Sequence, residues 1–179
     1  DNWTWQADLP GVGHSSPIIW NEKIYLTSAD EERNVRHLFC HDLHTGKLVW
    51  SHDFPSDIER HHKQNSSASS TVTADSRGIY WLWGTSQNVH LEAMTHDGEL
   101  RWSIQLGPYV GQHGFGGSPV VWKNVVIVPL EQNTEGTIVG IDASTGKVRW
   151  KLPRDGADKA AYSTPLVLAD MDIEPQVIC

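Results

Sequence analysis

One phrase, written three times, limits what this chain can fold into. HDLHTGKLVW ends at Trp50, MTHDGELRW at Trp102 and IDASTGKVRW at Trp150, and a truncated copy, NWTW, ends at Trp5. Spacings of 45, 52 and 48 residues separate the four tryptophans, a period that marks a repeated supersecondary unit. Each interval also opens alike, with GVGHSSPIIW from Gly11, NSSASSTVTA from Asn65, GFGGSPVVW from Gly114 and AYSTPLVLA from Ala161. Every unit therefore starts small and polar, turns β-branched and closes on a glycine turn followed by tryptophan.

Short β-rich runs bounded by Gly, Asn, Asp and Ser fill the intervals and predict four strands per unit. In the first unit they fall at 15–20, 23–29, 35–43 and 47–54, in the second at 67–75, 78–85, 88–95 and 99–106, and in the third at 117–122, 124–131, 136–143 and 147–152. Thr45-Gly46, Asp97-Gly98 and Thr145-Gly146 put a glycine before each last strand, where a tight hairpin needs positive φ. No helix is required. The expected fold class is all-β, a β-propeller fragment of four-stranded antiparallel blades, about three complete blades with partial blades at both ends. The blades are placed at 11–54, 65–106 and 114–152, the outer strand of a preceding blade at 2–9 and the start of the next at 161–179. A closed ring takes about four to eight blades, so the missing blades of the same ring are an expected partner.

Charge narrows the other partners. Lys plus Arg is 14 against 22 for Asp plus Glu, a net charge of −8, and the basic residues are dispersed, which argues against nucleic acid and anionic membranes. No run of apolar residues is long enough to span a bilayer, so no direct membrane insertion is expected, and the N-terminus lacks a signal-peptide pattern. Cys40 and Cys179 form no CxxC or metal-ligand spacing, and Cys40 falls in an apolar strand as a buried, inert thiol.

Asp42, Thr45, Gly46, Lys47 and Trp50, repeated as Asp142, Thr145, Gly146, Lys147 and Trp150, resemble the tryptophan-docking motif of the pyrroloquinoline-quinone-type repeat family, Ala-x-Asp-x-x-Thr-Gly-x-x-x-Trp. Cys40 and Gly140 stand at the Ala position, and the middle copy keeps Gly98 and Trp102 in a shorter loop without the Asp. The resemblance implies that Trp5, Trp50, Trp102 and Trp150 pack across the gap onto a neighbouring blade, where a large flat ring buries much surface at little rotamer cost. LPGVGHSSPIIW, HGFGGSPVVW and the STP with a downstream EPQVI look like a bacterial subfamily of large envelope proteins. That likeness implies a periplasmic or extracellular envelope location, with any targeting segment outside this chain.

Fold is a poor guide to function. The expected role is a non-catalytic binding or scaffold module, similar in kind to the propeller lipoprotein of the outer-membrane assembly machinery, with a protein partner and no cofactor. The alternative is a quinoprotein dehydrogenase holding pyrroloquinoline quinone over calcium, for which Glu131 and Asn133 have suitable oxygen donors. The family's enzymes carry an adjacent Cys-Cys pair, absent here. A third possibility is a sensor propeller fused to another domain such as a kinase.

His14, His61, His62 and His113 each precede the first strand of a unit, the innermost one in a propeller, so they are expected to converge on one face near the axis. Neutral imidazoles there would suit a transition metal and protonated ones an anion, though no metal site is assigned. The other six histidines, His37, His41, His44, His52, His90 and His96, lie on or beside strands and read as solvated. The serine-rich starts contain no GxSxG elbow, and Gly111 to Gly117 runs into a strand, not a helix, which removes a phosphate loop. No catalytic residue is assigned.

Overall fold

Side chains alternate across a strand, so a blade buried on both faces needs unbroken apolar runs in its middle strands. Gly78–Gly84 (GIYWLWG) and Val125–Leu130 (VVIVPL) are such runs. The computed structural model describes residues 3–58, 62–154, 159–170 and 173–179, and contains no helix among them. The first blade is β1 (Ile18–Trp20), β2 (Lys23–Asp30), β3 (Val35–Asp42) and β4 (Leu48–Pro55). The second is β5 (Thr73–Asp75), β6 (Gly78–Gly84), β7 (Val89–Met94) and β8 (Leu100–Gln105), and the third is β9 (Val120–Trp122), β10 (Val125–Leu130), β11 (Thr137–Asp142) and β12 (Val148–Pro153). Each is an antiparallel meander in chain order, and β13 (Leu166–Asp170) pairs with β14 (Ile173–Ile178) in a further hairpin.

The inner strands β1, β5 and β9 are three residues long, shorter than the six to nine that the β-rich patterns predict. The residues ahead of them give their backbone groups to neighbouring loops and not to a ladder. Residues 3–9, expected as an outer strand, carry no ladder pairing among the described residues. An outer strand bonds only to the third strand of its own blade, and no such strand lies beside this segment.

Two cores fill the gaps between blades. Tyr25, Leu38 and Cys40 of the first blade meet Ile79, Trp81, Trp83 and Met94 of the second. From the opposite face of the second blade, Tyr80, Leu82, Leu91 and Ala93 meet Val126, Val128, Val139 and Ile141 of the third. Cys40 is fully buried, and burial pushes its thiol pKa up to about 11, as expected for an inert cysteine.

The tryptophans span the same gaps in one direction. Trp5 lies against Gly46 and donates from Nε1 to the Leu43 carbonyl at 2.9 Å, Trp50 lies against Gly98 and donates to the His96 carbonyl at 3.1 Å, and Trp102 lies against Gly146 and donates to the Ala143 carbonyl at 3.1 Å. Each receiving glycine has positive φ (68°, 88° and 72°), and a Cβ on any of them would fall 2.3 to 3.0 Å from the indole. Asp42 Oδ1 fixes its turn by accepting from the His44 and Thr45 amides and the Thr45 hydroxyl, and Asp142 does the same with Ser144 and Thr145. In the copy lacking the aspartate, Thr95 Oγ1 takes over, accepting from the Asp97 and Glu99 amides. Arg149, then the Thr145 hydroxyl, hold the Asp142 carboxyl down at about 2. Trp150 crosses Gly140 of its own blade and remains 37% exposed.

The expectation of six solvated histidines is corrected. Only His44 is exposed; His37 and His41 are buried, and His52, His90 and His96 are half-buried. His52, His90 and His96 sit where the first two blades meet, while His37 and His41 bond within the first blade, to Asp53 Oδ1 at 2.7 Å and to the Gly46 carbonyl at 2.9 Å. His52 Nε2 lies 2.6 Å from the Gly98 carbonyl, while His96 accepts from the Tyr25 hydroxyl at Nδ1 (2.8 Å) and donates from Nε2 to the Asp75 carbonyl (2.7 Å). His90 stacks on Trp83 with centroids 4.0 Å apart, and burial pulls its pKa down.

Glu92 gives the fold a pH dependence. It lies buried on β7 with the Ser103 hydroxyl donating to it at 3.0 Å, and burial raises its pKa. A raised carboxyl pKa means that ionisation destabilises the native state once pH exceeds the ordinary carboxylate range, and that the penalty vanishes below it. Glu92→Gln is expected to raise the denaturation midpoint at pH 7 and to leave it unchanged near pH 3. A lower midpoint at pH 7 would refute this assignment.

Candidate functional site

The polar starts of the units meet at the inner strands, where β5 adjoins β1 on one side and β9 on the other. Their hydroxyls join one blade to the next. The Ser16 amide donates to Thr71 Oγ1 at 3.0 Å, the Thr71 amide to Ser118 Oγ at 3.0 Å, and the His14 amide to Ser66 Oγ at 3.1 Å. Asn65 Nδ2 donates to the His113 carbonyl at 2.6 Å, and the His62 amide reaches the same oxygen at 3.3 Å. The serines are short cross-links between crowded loops.

These bonds bring three of the four predicted histidines into one wall. His14, His62 and His113 line an open cavity of about 310 Å³ together with Asn65, Ser69 and Tyr162. The His62 and His113 rings meet edge to face at 4.9 Å, and Tyr162 stands 6.4 Å from His113. His62 Nδ1 accepts from the Gln64 amide at 3.2 Å, so its neutral ring carries the proton on Nε2. His61 lies outside the described residues. A second cavity of about 310 Å³ shares His113 and Tyr162 and adds Gln112, Asn133 and Lys159. Lys159 lies outside the repeated phrases, whereas Tyr162 stands in its opening phrase at the register of His14, a signal that a search for imidazoles passes over. Behind them Tyr109 is buried, and that burial, with Tyr162 beside it, drives its phenol pKa upward.

Glu131 and Asn133, the oxygen donors that calcium would require, have other work. Glu131 is buried with Oε1 2.9 Å from Arg154 Nη1, off the line of a good hydrogen bond, so the contact is an ion pair. Asn133 Oδ1 accepts from the Ala160 amide at 2.8 Å, and its own amide donates to the Val110 carbonyl at 2.7 Å. Among the described residues no group of three His, Cys, Asp or Glu side chains is spaced to hold a metal ion. As placed here, the Glu131 and Asn133 side chains serve contacts within the protein.

Comparison with known proteins agrees with this architecture. A family profile described as "Outer membrane protein assembly factor BamB", of the PQQ-like repeat type, matches residues 86–173. The chain is 31% identical to the quinoprotein alcohol dehydrogenase PedE of Pseudomonas putida over 87% of its own length and 27% of the relative's. Among solved structures it is similar to a europium-containing methanol dehydrogenase (TM-score 0.61, 15% identity, 87% of this chain and 27% of that one). It is also similar to BamB from Moraxella catarrhalis (TM-score 0.50, 15% identity, 85% and 55%). The chain spans about a quarter of the length of the curated relatives it matches. Residues 86–173 match the PQQ-like repeat model, and the repeated blades with their unclosed four-stranded sheets make the chain a run of β-propeller blades.

Proposed function

We propose that this chain is a sector of a propeller that works as a binding or scaffold module, presenting the wall of His14, His62 and His113 to its ligand. One observation carries the reading: Glu131 and Asn133, the donors a calcium-held quinone would need, are engaged with Arg154, Ala160 and Val110, while the histidine wall faces an open cavity. In this reading Trp5, Trp50 and Trp102 dock blade on blade through Gly46, Gly98 and Gly146, with Asp42 and Asp142 holding the turns, and Trp150 is the docking ring for the next blade. The exposed face around Trp150 and Leu152 belongs against the next blade of the same ring. The match of residues 86–173 to the profile of an outer membrane protein assembly factor supports a protein partner and an envelope location.

A dehydrogenase is the second reading, favoured by the 31% identity to PedE. Reconstitution separates the two. The full-length protein, titrated with pyrroloquinoline quinone and Ca²⁺ and assayed for alcohol-dependent dye reduction, is expected to show none. Stoichiometric quinone uptake with dye reduction would overturn the binding-module reading.

A further inference from the structure

We infer that the two cavities sharing His113 and Tyr162 form one trough for a small multivalent carboxylate, taken up more tightly as pH falls. This rests on the binding-module reading and names its ligand class. The argument begins with charge. The chain has 22 Asp and Glu residues and a net charge of −8, yet no described residue lining either cavity is acidic. The walls instead hold His14, His62, His113 and Lys159 among amide and hydroxyl donors, an arrangement that disfavours cations and neutralises anions.

The groups facing the two exposed imidazoles, His14 and His113, come from every loop around the trough: His62 from the lead-in to the second blade, and Lys159 and Tyr162 from the lead-in to the β13–β14 hairpin. His62 already accepts a hydrogen bond at Nδ1, so its neutral form offers an Nε2 donor to the trough, while the His14 and His113 rings stand exposed beside it. Imidazole as a side-chain type titrates near pH 6.5, and a ligand that prefers the protonated rings gains affinity as they charge. The loops are held in place beforehand by the Asn65 and His62 bonds to the His113 carbonyl, so little ordering is left for the ligand to impose. Two adjoining spaces of about 310 Å³ hold a molecule with several carboxylates.

Calorimetric titration of the full-length protein with citrate, at pH 5.5 and pH 8 and fixed ionic strength, tests this. Citrate is expected to bind about tenfold or more tightly at the lower pH. The His14→Gln, His113→Gln double variant should lose that difference, and Lys159→Gln should weaken binding at both pH values. Equal wild-type affinity at the two pH values, no citrate binding at pH 5.5, or full retention in a folded double variant would each overturn the proposal. If the double variant does not fold, the wild-type pH profile and Lys159→Gln decide it. Pyrroloquinoline quinone with Ca²⁺ is the separate arm: dye reduction there would defeat the binding-module reading, while the citrate profile still decides the charge of the trough.

Discussion

Replacing Trp50 with alanine in the full-length protein is expected to lower its stability by about 3 kcal/mol, at the lower edge of the range for losing a large packed aromatic. The ring covers the Gly98 turn, tilts against Tyr25 at 5.9 Å and His52 at 5.3 Å, and donates to the His96 carbonyl. Alanine removes that contact area and one of the two donors to the carbonyl, which keeps Lys23 Nζ at 2.8 Å, so lost packing is the larger part of the effect. The ring is only half-buried, which keeps the figure from the top of the range. Trp3 supplies the control, since it is 82% exposed and its alanine variant should change stability by less than about 0.5 kcal/mol. Chemical denaturation showing a loss below about 1 kcal/mol for Trp50→Ala would refute the packing assignment.

Gly78→Ala is expected to be at least as damaging, about 3 kcal/mol or more, with poor recovery of folded protein. Gly78 opens β6 at φ 146°, a conformation that L residues rarely adopt, and a Cβ there would stand 1.9 Å from the Met94 carbonyl oxygen, which is fixed in the ladder. Neither the strand nor the carbonyl can yield without disturbing the pairing between β6 and β7. Gly107→Ala isolates the backbone component, because Gly107 has φ 100° with no atom within 4 Å of a would-be Cβ. A melting midpoint for Gly78→Ala equal to that of Gly107→Ala would show that the overlap is relieved without cost.

The blade architecture was legible because its causes are local. A period of about fifty residues, a glycine before each closing strand and alternating β-rich runs all act within one unit, and the outer three strands of each blade fall within about two residues of where the pattern puts them. The inner strands were overextended, because Ser15 to Pro17 and Ser66 to Thr71 look like strand residues to a local pattern while their polar groups bond to adjoining loops. The burial of His52 and His96 was hidden for a related reason. Their partners, Gly98 and Tyr25, lie 46 and 71 residues away, and only the packing of blade on blade joins them. Trp81 and Trp83 belong to no repeated phrase, and their burial follows from the face of the second blade that meets the first. At the trough, the repeated position of histidine ahead of each unit pointed to His14, His62 and His113, whereas Tyr162 fills the register of His14 with a phenol and Lys159 lies outside any repeated phrase.

Because the indoles of Trp5, Trp50 and Trp102 each reach forward to the turn of the following unit, the joint between blades has a donor side and a receiver side. Such head-to-tail contacts are heterologous: they close only when the accumulated rotation returns the last donor to the first receiver, and otherwise propagate as an open spiral. A unit can thus be inserted or removed between matching joints without redesign of its neighbours, while the seam where the circle meets itself must satisfy a geometry that no single joint encodes. Selection on ring size should therefore concentrate on the small tilt between consecutive units and leave the joint chemistry almost untouched.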